Sequence, residues 1–434
     1  MAERRPAVPR PTGVLGGEDD SGAAGPRPGR WFPGWTVVVL MAAVLAIGVG
    51  VTFYGLSVYL SALTREGRGF SLTQVSVATS AFLVATGVTG LPVGRLLARY
   101  DARAVLLPGL LATALAVLAI GRVQTAWQLV LAYTLLGAGF AAISVIPAST
   151  LVARWFVRRR ARAMSLVFLG LPVGGALVSP LVAVLVERLG VAGAGPWLAA
   201  LLLGVAGPLS LAVRPDPGRR GLLPDGDAPS DGTTVDPATA GSSAADAFAD
   251  PWFLLVGVAL MLGMLSQLGA LAHLYNAVSE RLDTTIAATA LSTAAAASVV
   301  GRLAGSWVFE RVALPRATAG LMTLQAGSLV LLAVLPTHAA VVVATVAFGI
   351  SMGNLQVLQP LLLADRYGAR DFAAILARGN LLVTVGMALG PVTVGAVHDL
   401  AGDYTAALAA CAVAAALGAV LMLRAGRLPA PAVR

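Results

Sequence analysis

The chain lacks lysine altogether, and it contains few charged residues and one cysteine. Its 30 basic residues are all arginine, and charged residues make up 12% of the 434 positions, against about 25% in a soluble domain. Without lysine there is no GxxxxGKS/T phosphate-binding loop and no Schiff-base chemistry. The lone Cys411 excludes a disulfide framework, and the three scattered histidines form no ligand cluster, so we expect no metal and no cofactor.

The chain consists largely of long apolar runs, since 57% of its residues are hydrophobic. About 20 apolar residues are needed for one helix to cross a bilayer. The sequence therefore predicts an all-α membrane protein with twelve transmembrane helices in two pseudo-symmetric six-helix halves. The predicted spans are residues 36–60, 74–95, 104–121, 127–151, 163–186, 196–213, 251–275, 286–308, 318–336, 340–364, 378–397 and 405–423.

Polar segments divide the chain into parts. Composition predicts a disordered N-terminal tail and a flexible linker rich in small and acidic residues. Gly90 and Gly94 recur as Gly301 and Gly305, which indicates an internal repeat of the kind found in secondary transporters. The predicted parts are a tail (1–35), a first half (36–213), a linker (214–250), a second half (251–423) and a C-terminal tail (424–434).

The arginines are distributed unequally between the two sides of the membrane. If both termini are cytoplasmic, 24 arginines lie in the tails and inner loops, five lie in outer loops, and Arg302 lies within a span. Because inner loops carry the excess of positive charge, we expect a multi-pass protein of the inner (cytoplasmic) membrane with both termini inside. The net charge of +9 then requires no nucleic-acid partner. We expect a monomer surrounded by lipid.

Arg302 is the main candidate for a functional residue. It lies roughly 9 Å from the inner end of the eighth predicted helix, and no carboxylate falls inside any predicted span. Such a residue costs about 2.5–3.5 kcal/mol to insert, and it usually faces a cavity or the bundle interior. Either a bound anion compensates its charge, or the side chain reaches the surface or bonds backbone carbonyls across a helix interface.

Neutral polar residues within the spans are further candidates. Tyr54 and Asn354 are predicted to line a cavity, and His273 is predicted as a substrate contact and proton relay. Each of them also suits plain hydrogen bonding between helices. Further polar groups of this kind, which often form hydrogen bonds between helices, are Tyr59, Asn276, Gln356 and Gln359.

The segment Trp155–Gly174, WFVRRRARAMSLVFLGLPVG, resembles the signature that precedes the fifth helix in monocarboxylate transporters and oxalate/formate antiporters of the major facilitator superfamily. Its matching positions include Arg158, Arg159, Gly170, Pro172 and Gly174. Gly34 and Trp35 open the first helix as in that family, and Gly94 and Arg99 lie in a loop similar to the superfamily loop, with Gly305 as the repeat of Gly94. The resemblance implies that Arg302 binds substrate.

Departures from the family pattern affect the expected coupling of transport to protons. The resemblance places an aspartate one turn before Arg302, where this chain has Ser298, and a lysine near Tyr54. The superfamily loop also has an aspartate where Ala98 stands and a glycine where Asp101 stands. Proton symport by the usual route is therefore not expected, which leaves anion exchange, facilitated passage or proton entry through His273.

The favoured interpretation is transport of a small organic anion, by implication a monocarboxylate, through alternating access of the two halves, with protons or a counter-anion as possible partners. No nucleophile or acid–base pair occurs in the spans, so we expect no enzyme activity. One alternative is efflux of apolar or drug-like compounds. Another is a membrane receptor or scaffold that acts through the 37-residue linker.

Overall fold

The computed structural model describes residues 32–65, 70–214, 216–218, 222–226, 241–335 and 337–429. Most of the predicted N-terminal tail, much of the predicted linker and residues 430–434 therefore lie outside the described residues. Contacts divide the chain into two units, Met1–Trp31 and Phe32–Arg434, and the structure describes the second.

Helices of the first half are interrupted by short breaks. Gly190 has φ 67° and ψ 170°, a backbone conformation that glycine adopts without a Cβ clash, and it separates two crossings of the bundle. π-helical turns follow α8 and α9. The helices are α1 (Pro33–Val51), α2 (Gly55–Arg65), α3 (Leu72–Arg99), α4 (Ala102–Ile120), α5 (Ala126–Ile143), α6 (Val145–Trp155), α7 (Arg160–Val167), α8 (Gly170–Val173), α9 (Ser179–Leu201) and α10 (Gly207–Ala212).

Apart from the short linker helix α11, the helices that follow are longer, and several begin at an aspartate. Asp250, Asp283 and Asp403 each accept backbone N–H groups of the first turn, which satisfies donors that lack a partner within the helix. The bonds from Ala406 and Thr405 also lower the pKa of the Asp403 carboxyl. The helices are α11 (Ala244–Ala249), α12 (Pro251–Ser279), α13 (Thr284–Phe309), α14 (Leu314–Val334), α15 (His338–Tyr367), α16 (Phe372–Ala401) and α17 (Tyr404–Ala425).

Eleven helical segments among the described residues are long and apolar enough to cross a bilayer. One of them, Arg160–Ala212, contains the fifth and sixth predicted spans, and Gly190 divides it between them. Apart from a single bridge between Gly241 and Gly368, the described residues contain no β structure. Large apolar side chains such as Leu177 and Val392 are more than 60% exposed, as lipid-facing residues are. The predicted membrane fold is confirmed.

The two halves meet at one end of the bundle, which we call the arginine-rich end; it is formed by the connections at residues 100–101, 156–159, 310–313 and 368–371. Here α3 packs against α16, and α7 packs against α13 and α15. The Nε atom of Arg162 lies 2.7 Å from Oε1 of Glu310, so a charged pair also joins the halves.

Described parts of the predicted linker dock on this end rather than extending freely. The Asp225 carboxylate accepts the backbone N–H groups of Val157 at 2.9 Å and Arg158 at 2.7 Å. Further along, the Ser243 hydroxyl caps α11, which is why six residues of a small-residue segment become helical. The linker thus contacts both halves, since Ser242 N–H also donates to the Tyr367 carbonyl at the end of α15.

Candidate functional site

A cavity of about 130 Å³ lies between the two halves. Among the described residues its wall contains no charged side chain. Aromatic and aliphatic groups form most of it, which suits a small solute with an apolar body and a few hydrogen-bonding groups. The polar side chains of the wall are Tyr54, Thr86, Ser144, Gln356, Gln359, Asn380 and Thr384.

Two helix breaks shape the first-half wall. Between α1 and α2, the Thr52 hydroxyl donates to a carbonyl one turn earlier, and Tyr59 Oη donates to the Val51 carbonyl at 2.9 Å. These bonds hold the break in which Tyr54 lies, with 38% of its surface exposed. Ser144 occupies the break between α5 and α6. Tyr54 therefore lies in the cavity wall, and its role in substrate binding stays a prediction.

Arg302 lies on α13, 4% exposed, and bonds to both halves. Its Nε donates to the Gly353 carbonyl of α15 at 2.7 Å, and its Nη1 donates to the Phe168 carbonyl of the first half at 2.6 Å. A guanidinium has five N–H donors, so the Nη2 group and one Nη1 hydrogen have no acceptor among the described residues. No described carboxylate pairs with it.

Pro172 explains why the Phe168 carbonyl is free to bond Arg302. In an α-helix the carbonyl of residue 168 accepts the N–H of residue 172, and proline has no N–H. The Phe168 carbonyl instead accepts from Leu171 N–H at 3.1 Å and from Arg302. A proline of the sequence signature thus creates the acceptor for the buried arginine of the other half.

Replacing Pro172 with alanine should weaken this link between the halves. The restored N–H would compete with Arg302 for the Phe168 carbonyl, and one hydrogen bond contributes about 1 kcal/mol. We expect faster amide hydrogen exchange in α7 and α13 at the arginine-rich end, by about fivefold. Pro108→Ala in α4 makes the same chemical change within the first half and should leave α13 unaltered; equal effects of both variants would contradict the assignment.

Two further candidates lie in seams between helices of the second half, contrary to the expectation that they line the cavity. Asn354 is 1% exposed, and its Nδ2 donates to the Gly301 and Ile350 carbonyls, both at 2.9 Å. His273 contacts Tyr404 Oη through Nδ1 and the Pro391 carbonyl through Nε2, both at 3.2 Å. The Asn354 Oδ1 atom has no hydrogen-bond partner among the described residues, and the roles of Asn354 and His273 in binding or proton transfer stay predictions.

The predicted glycine positions are all sites of close helix approach. Gly94 of α3 faces Ala373 and Ala377 of α16, at the junction of the halves. Gly305 of α13 faces the Asn354 amide. Gly170 and Gly174 lie against the backbone of α1. Packing of this kind needs the absence of a side chain, which is the common use of small residues between membrane helices.

The predicted loop arginines lie at the arginine-rich end. Arg99 is exposed in the last turn of α3. The backbone N–H groups of Arg158 and Arg159 donate to the Asp225 carboxylate, at 2.7 Å and 3.2 Å. Arg158 and Arg159 therefore hold the linker through their main chain.

Sequence reasoning missed Asn380 and Ser144 in the cavity wall, and it treated Gln356 and Gln359 only as polar groups on the tenth span. The spacing of Gln356 and Gln359 could have indicated that they share one wall, because residues three apart lie on one face of a helix. The Arg162–Glu310 pair was also missed, since its partners are 148 residues apart and lie in different predicted loops.

Both the sequence and the fold of this chain are similar to those of known proteins. The family profile of the Major Facilitator Superfamily matches residues 40–391. Monocarboxylate transporter 13 of Bos taurus is 27% identical over 402 residues, 88% of this chain and 86% of the relative. Monocarboxylate transporter 11 of Mus musculus is 28% identical over 89% of this chain and 86% of its own length. The crystal structure of the E. coli fucose:proton symporter FucP superposes with a TM-score of 0.70 at 13% identity, covering 91% of this chain and 99% of FucP.

Proposed function

We propose that this chain, which belongs to the Major Facilitator Superfamily and is a membrane transporter rather than an enzyme, carries small organic anions, chiefly monocarboxylates. The transport would proceed by alternating access across the cytoplasmic membrane, with both termini inside. The names of the curated relatives, monocarboxylate transporters 13 and 11, support this substrate class.

The observation that carries the proposal is the state of Arg302. A permanently charged group is buried between the halves, no described carboxylate neutralises it, and three of its N–H donors have no described acceptor. A carboxylate is a better acceptor for a guanidinium than a peptide carbonyl, because the bond is charge-assisted and can be bidentate. A bound anion would therefore complete this site.

The same geometry suggests how binding drives the conformational change. With the arginine-rich end closed, Arg302 bonds the Phe168 carbonyl across the halves. An incoming carboxylate would draw the guanidinium away from this neutral acceptor, and the link between the halves would be lost. Under the predicted orientation, the closed end faces the cytoplasm, and its opening would release the anion inside.

We do not propose that a carboxylate within the membrane couples transport to protons. Ser298, one turn before Arg302, donates its hydroxyl to its own helix at Ala295, and His273 is engaged by α16 and α17. Moving one negative charge against 100 mV costs about 2.3 kcal/mol. Exchange of anion for anion avoids this cost, so we propose exchange or facilitated passage.

One observation favours a second candidate function, the export of apolar or drug-like compounds. The described wall of the cavity is uncharged, and Phe53, Phe82, Phe140, Met264 and Met387 line it. Such a wall accommodates neutral organic molecules without any part for Arg302.

A transport assay distinguishes these functions. Protein in liposomes preloaded with unlabelled butanoate is tested for uptake of labelled butanoate, a neutral dye and tetraphenylphosphonium. We expect saturable butanoate uptake that internal butanoate accelerates several-fold. Movement of the dye or the cation alone would overturn the anion proposal, and equal uptake into empty liposomes would overturn exchange in favour of facilitated passage.

A further inference from the structure

The outward face of α13 carries an exposed apolar stripe that ends at a tryptophan. Val300 is 65% exposed, Leu303 45% and Trp307 60%. These residues are spaced three and four apart, so they lie on one face of the helix, and in a membrane such a face contacts lipid chains. Trp307 lies in the last turn of α13, and tryptophan side chains at the ends of membrane helices typically lie at the level of the lipid headgroups.

Two arginines, one from each half, approach the ring of Trp307. The Cζ atom of Arg162 in α7 lies 5.8 Å from the ring centroid, and the Cζ atom of Arg311, which follows α13, lies 5.7 Å from it. Both distances are within the range of cation–π attraction. A similar pair, Arg366 on Trp252 at 4.8 Å, belongs to the protein interior, because Trp252 is 3% exposed. The ring of Trp307 instead places its two arginines at the protein surface.

These arginines keep unused hydrogen-bond donors. Nε and Nη2 of Arg162 donate to the Glu310 carboxylate, both at 2.7 Å, whereas its Nη1 has no acceptor among the described residues. Arg311 donates one N–H group, from Nη1, to the Trp307 carbonyl at 3.0 Å. Arg316, in the first turn of α14, is exposed, and its guanidinium has no described acceptor. We call Arg162, Trp307, Arg311 and Arg316 the tryptophan patch; with Glu310 as its one acid, the patch has a net positive charge.

We infer that the phosphate of an anionic phospholipid binds the tryptophan patch and links the two halves while the arginine-rich end is closed. Guanidinium groups bind phosphate oxygens through paired, charge-assisted hydrogen bonds. A lipid is favoured over a free anion because the cationic patch continues directly into the exposed stripe of Leu303 and Val300, along which the acyl chains would lie. Under the predicted orientation the patch faces the cytoplasmic leaflet, where anionic lipids attract basic residues.

The position of the patch explains why such a lipid would act on the conformation. Arg162 belongs to the first half, and Arg311 and Arg316 belong to the second. Opening of the arginine-rich end would move α7 away from α13 and separate these arginines. A ligand shifts an equilibrium by its difference in affinity for the two states, so a lipid bound to both halves favours the closed state. This effect needs no particular transported solute.

Lipid binding to the purified full-length protein in detergent tests the site, with short-chain phosphatidylglycerol, short-chain phosphatidylcholine and sodium phosphate as probes. We expect phosphatidylglycerol to raise the melting temperature saturably, at concentrations at least tenfold below those that phosphatidylcholine needs. Arg311→Gln should raise the half-saturating concentration of phosphatidylglycerol about fivefold, as expected for one basic residue near an anionic headgroup.

Arg122 supplies the matched control. It is exposed, and its Nη1 donates to the carbonyl of Leu118, four residues earlier, at 3.2 Å, just as Arg311 bonds Trp307. It lies at the opposite end of the bundle, so Arg122→Gln should leave the half-saturating concentration unchanged. Equal stabilisation by the two lipids, or equal losses in the two variants, would overturn the inference. Sodium phosphate acting at the same concentrations as phosphatidylglycerol would overturn it in favour of a free-anion site.

Amide hydrogen exchange in lipid nanodiscs tests the effect on the conformation. Nanodiscs of phosphatidylcholine alone are compared with nanodiscs that contain about one third phosphatidylglycerol. Exchange at the seam of α3 and α16, which also joins the halves at the arginine-rich end, should slow about fivefold in the anionic nanodiscs. Arg311→Gln should remove most of this slowing, and Arg122→Gln should preserve it. Exchange at this seam that does not respond to phosphatidylglycerol would contradict the link between the halves.

Discussion

Replacing Arg302 with alanine is expected to abolish saturable carboxylate uptake while the protein still folds. Two hydrogen bonds between a guanidinium and a carboxylate contribute about 1.5–3 kcal/mol each. Their loss corresponds to at least about a hundredfold decrease in kcat/KM. Initial rates of labelled butanoate uptake into liposomes, measured over a range of concentrations, give this ratio directly.

Arg302→Lys refines the result, because it keeps the charge and removes the planar fork. One ammonium group cannot reproduce the bonds to Gly353 and Phe168 and also hold both oxygens of a carboxylate. We expect kcat/KM about tenfold below that of the unmodified protein, between the parent and the alanine variant. Uptake equal to that of the parent would indicate a site that needs only positive charge.

Arg281 supplies the matched control for the alanine variant. Its Nη1 also donates to two backbone carbonyls, of Leu332 and Ala333, and its Nη2 donates to Thr405 at 2.6 Å. Both arginines lie outside the described cavity wall, but these bonds of Arg281 stay within the second half, whereas Arg302 also bonds the Phe168 carbonyl of the first half. Arg281→Ala should lower the melting temperature and keep kcat/KM within about twofold, as expected for a structural arginine. Unchanged uptake in Arg302→Ala, or equal losses in the two variants, would contradict the anion clamp.

The fold was predictable from the sequence because bilayer thickness fixes the length of an apolar helix, and loop arginines mark the helix ends. Helix interiors were therefore located well, whereas the breaks inside them were not. The break at Thr52 depends on side-chain bonds to carbonyls, and the break at Ser144, inside the fourth predicted span, depends on the φ of −103° and ψ of −133° of that residue. Neither feature changes the hydropathy of the segment in which it occurs.

The site was predictable only in part, for a similar reason. The burial of Arg302 and the absence of a nearby acid could be predicted, because Arg302 lies inside a predicted span and no carboxylate does. Its acceptor Phe168 is 134 residues away, so no local pattern connects them. Pro172 was visible in the signature, but its effect on that carbonyl requires the fold. Asn354 and His273 were assigned to the cavity because polar side chains in a membrane have two uses, and the sequence does not say which neighbour each one meets.

We expect the proposed conformational exchange between the two halves to depend on the seam at Gly94. A Cβ on Gly94 would overlap the Ala373 carbonyl oxygen and lie 2.7 Å from the Ala377 Cβ, and both atoms belong to α16 of the other half. Backbone atoms cannot rotate away as a flexible side chain can, so Gly94→Ala must push α3 and α16 apart. Added methyl groups in tight packing cost about 1–3 kcal/mol.

That cost falls only on the state in which the arginine-rich end is closed, so the ratio of open to closed molecules should rise by about 5- to 150-fold. Spin labels at the exposed positions Tyr100 and Arg370 would report the open molecules as a new population with a longer distance between the labels. The native Cys411 is 0% exposed and should not react with the label. Gly320→Ala makes the same change where no atom lies within 4 Å. It should leave the distances and the uptake rate unchanged, whereas Gly94→Ala should lower that rate at least fivefold. An unaltered distance distribution in Gly94→Ala would mean that this seam does not control opening of the arginine-rich end.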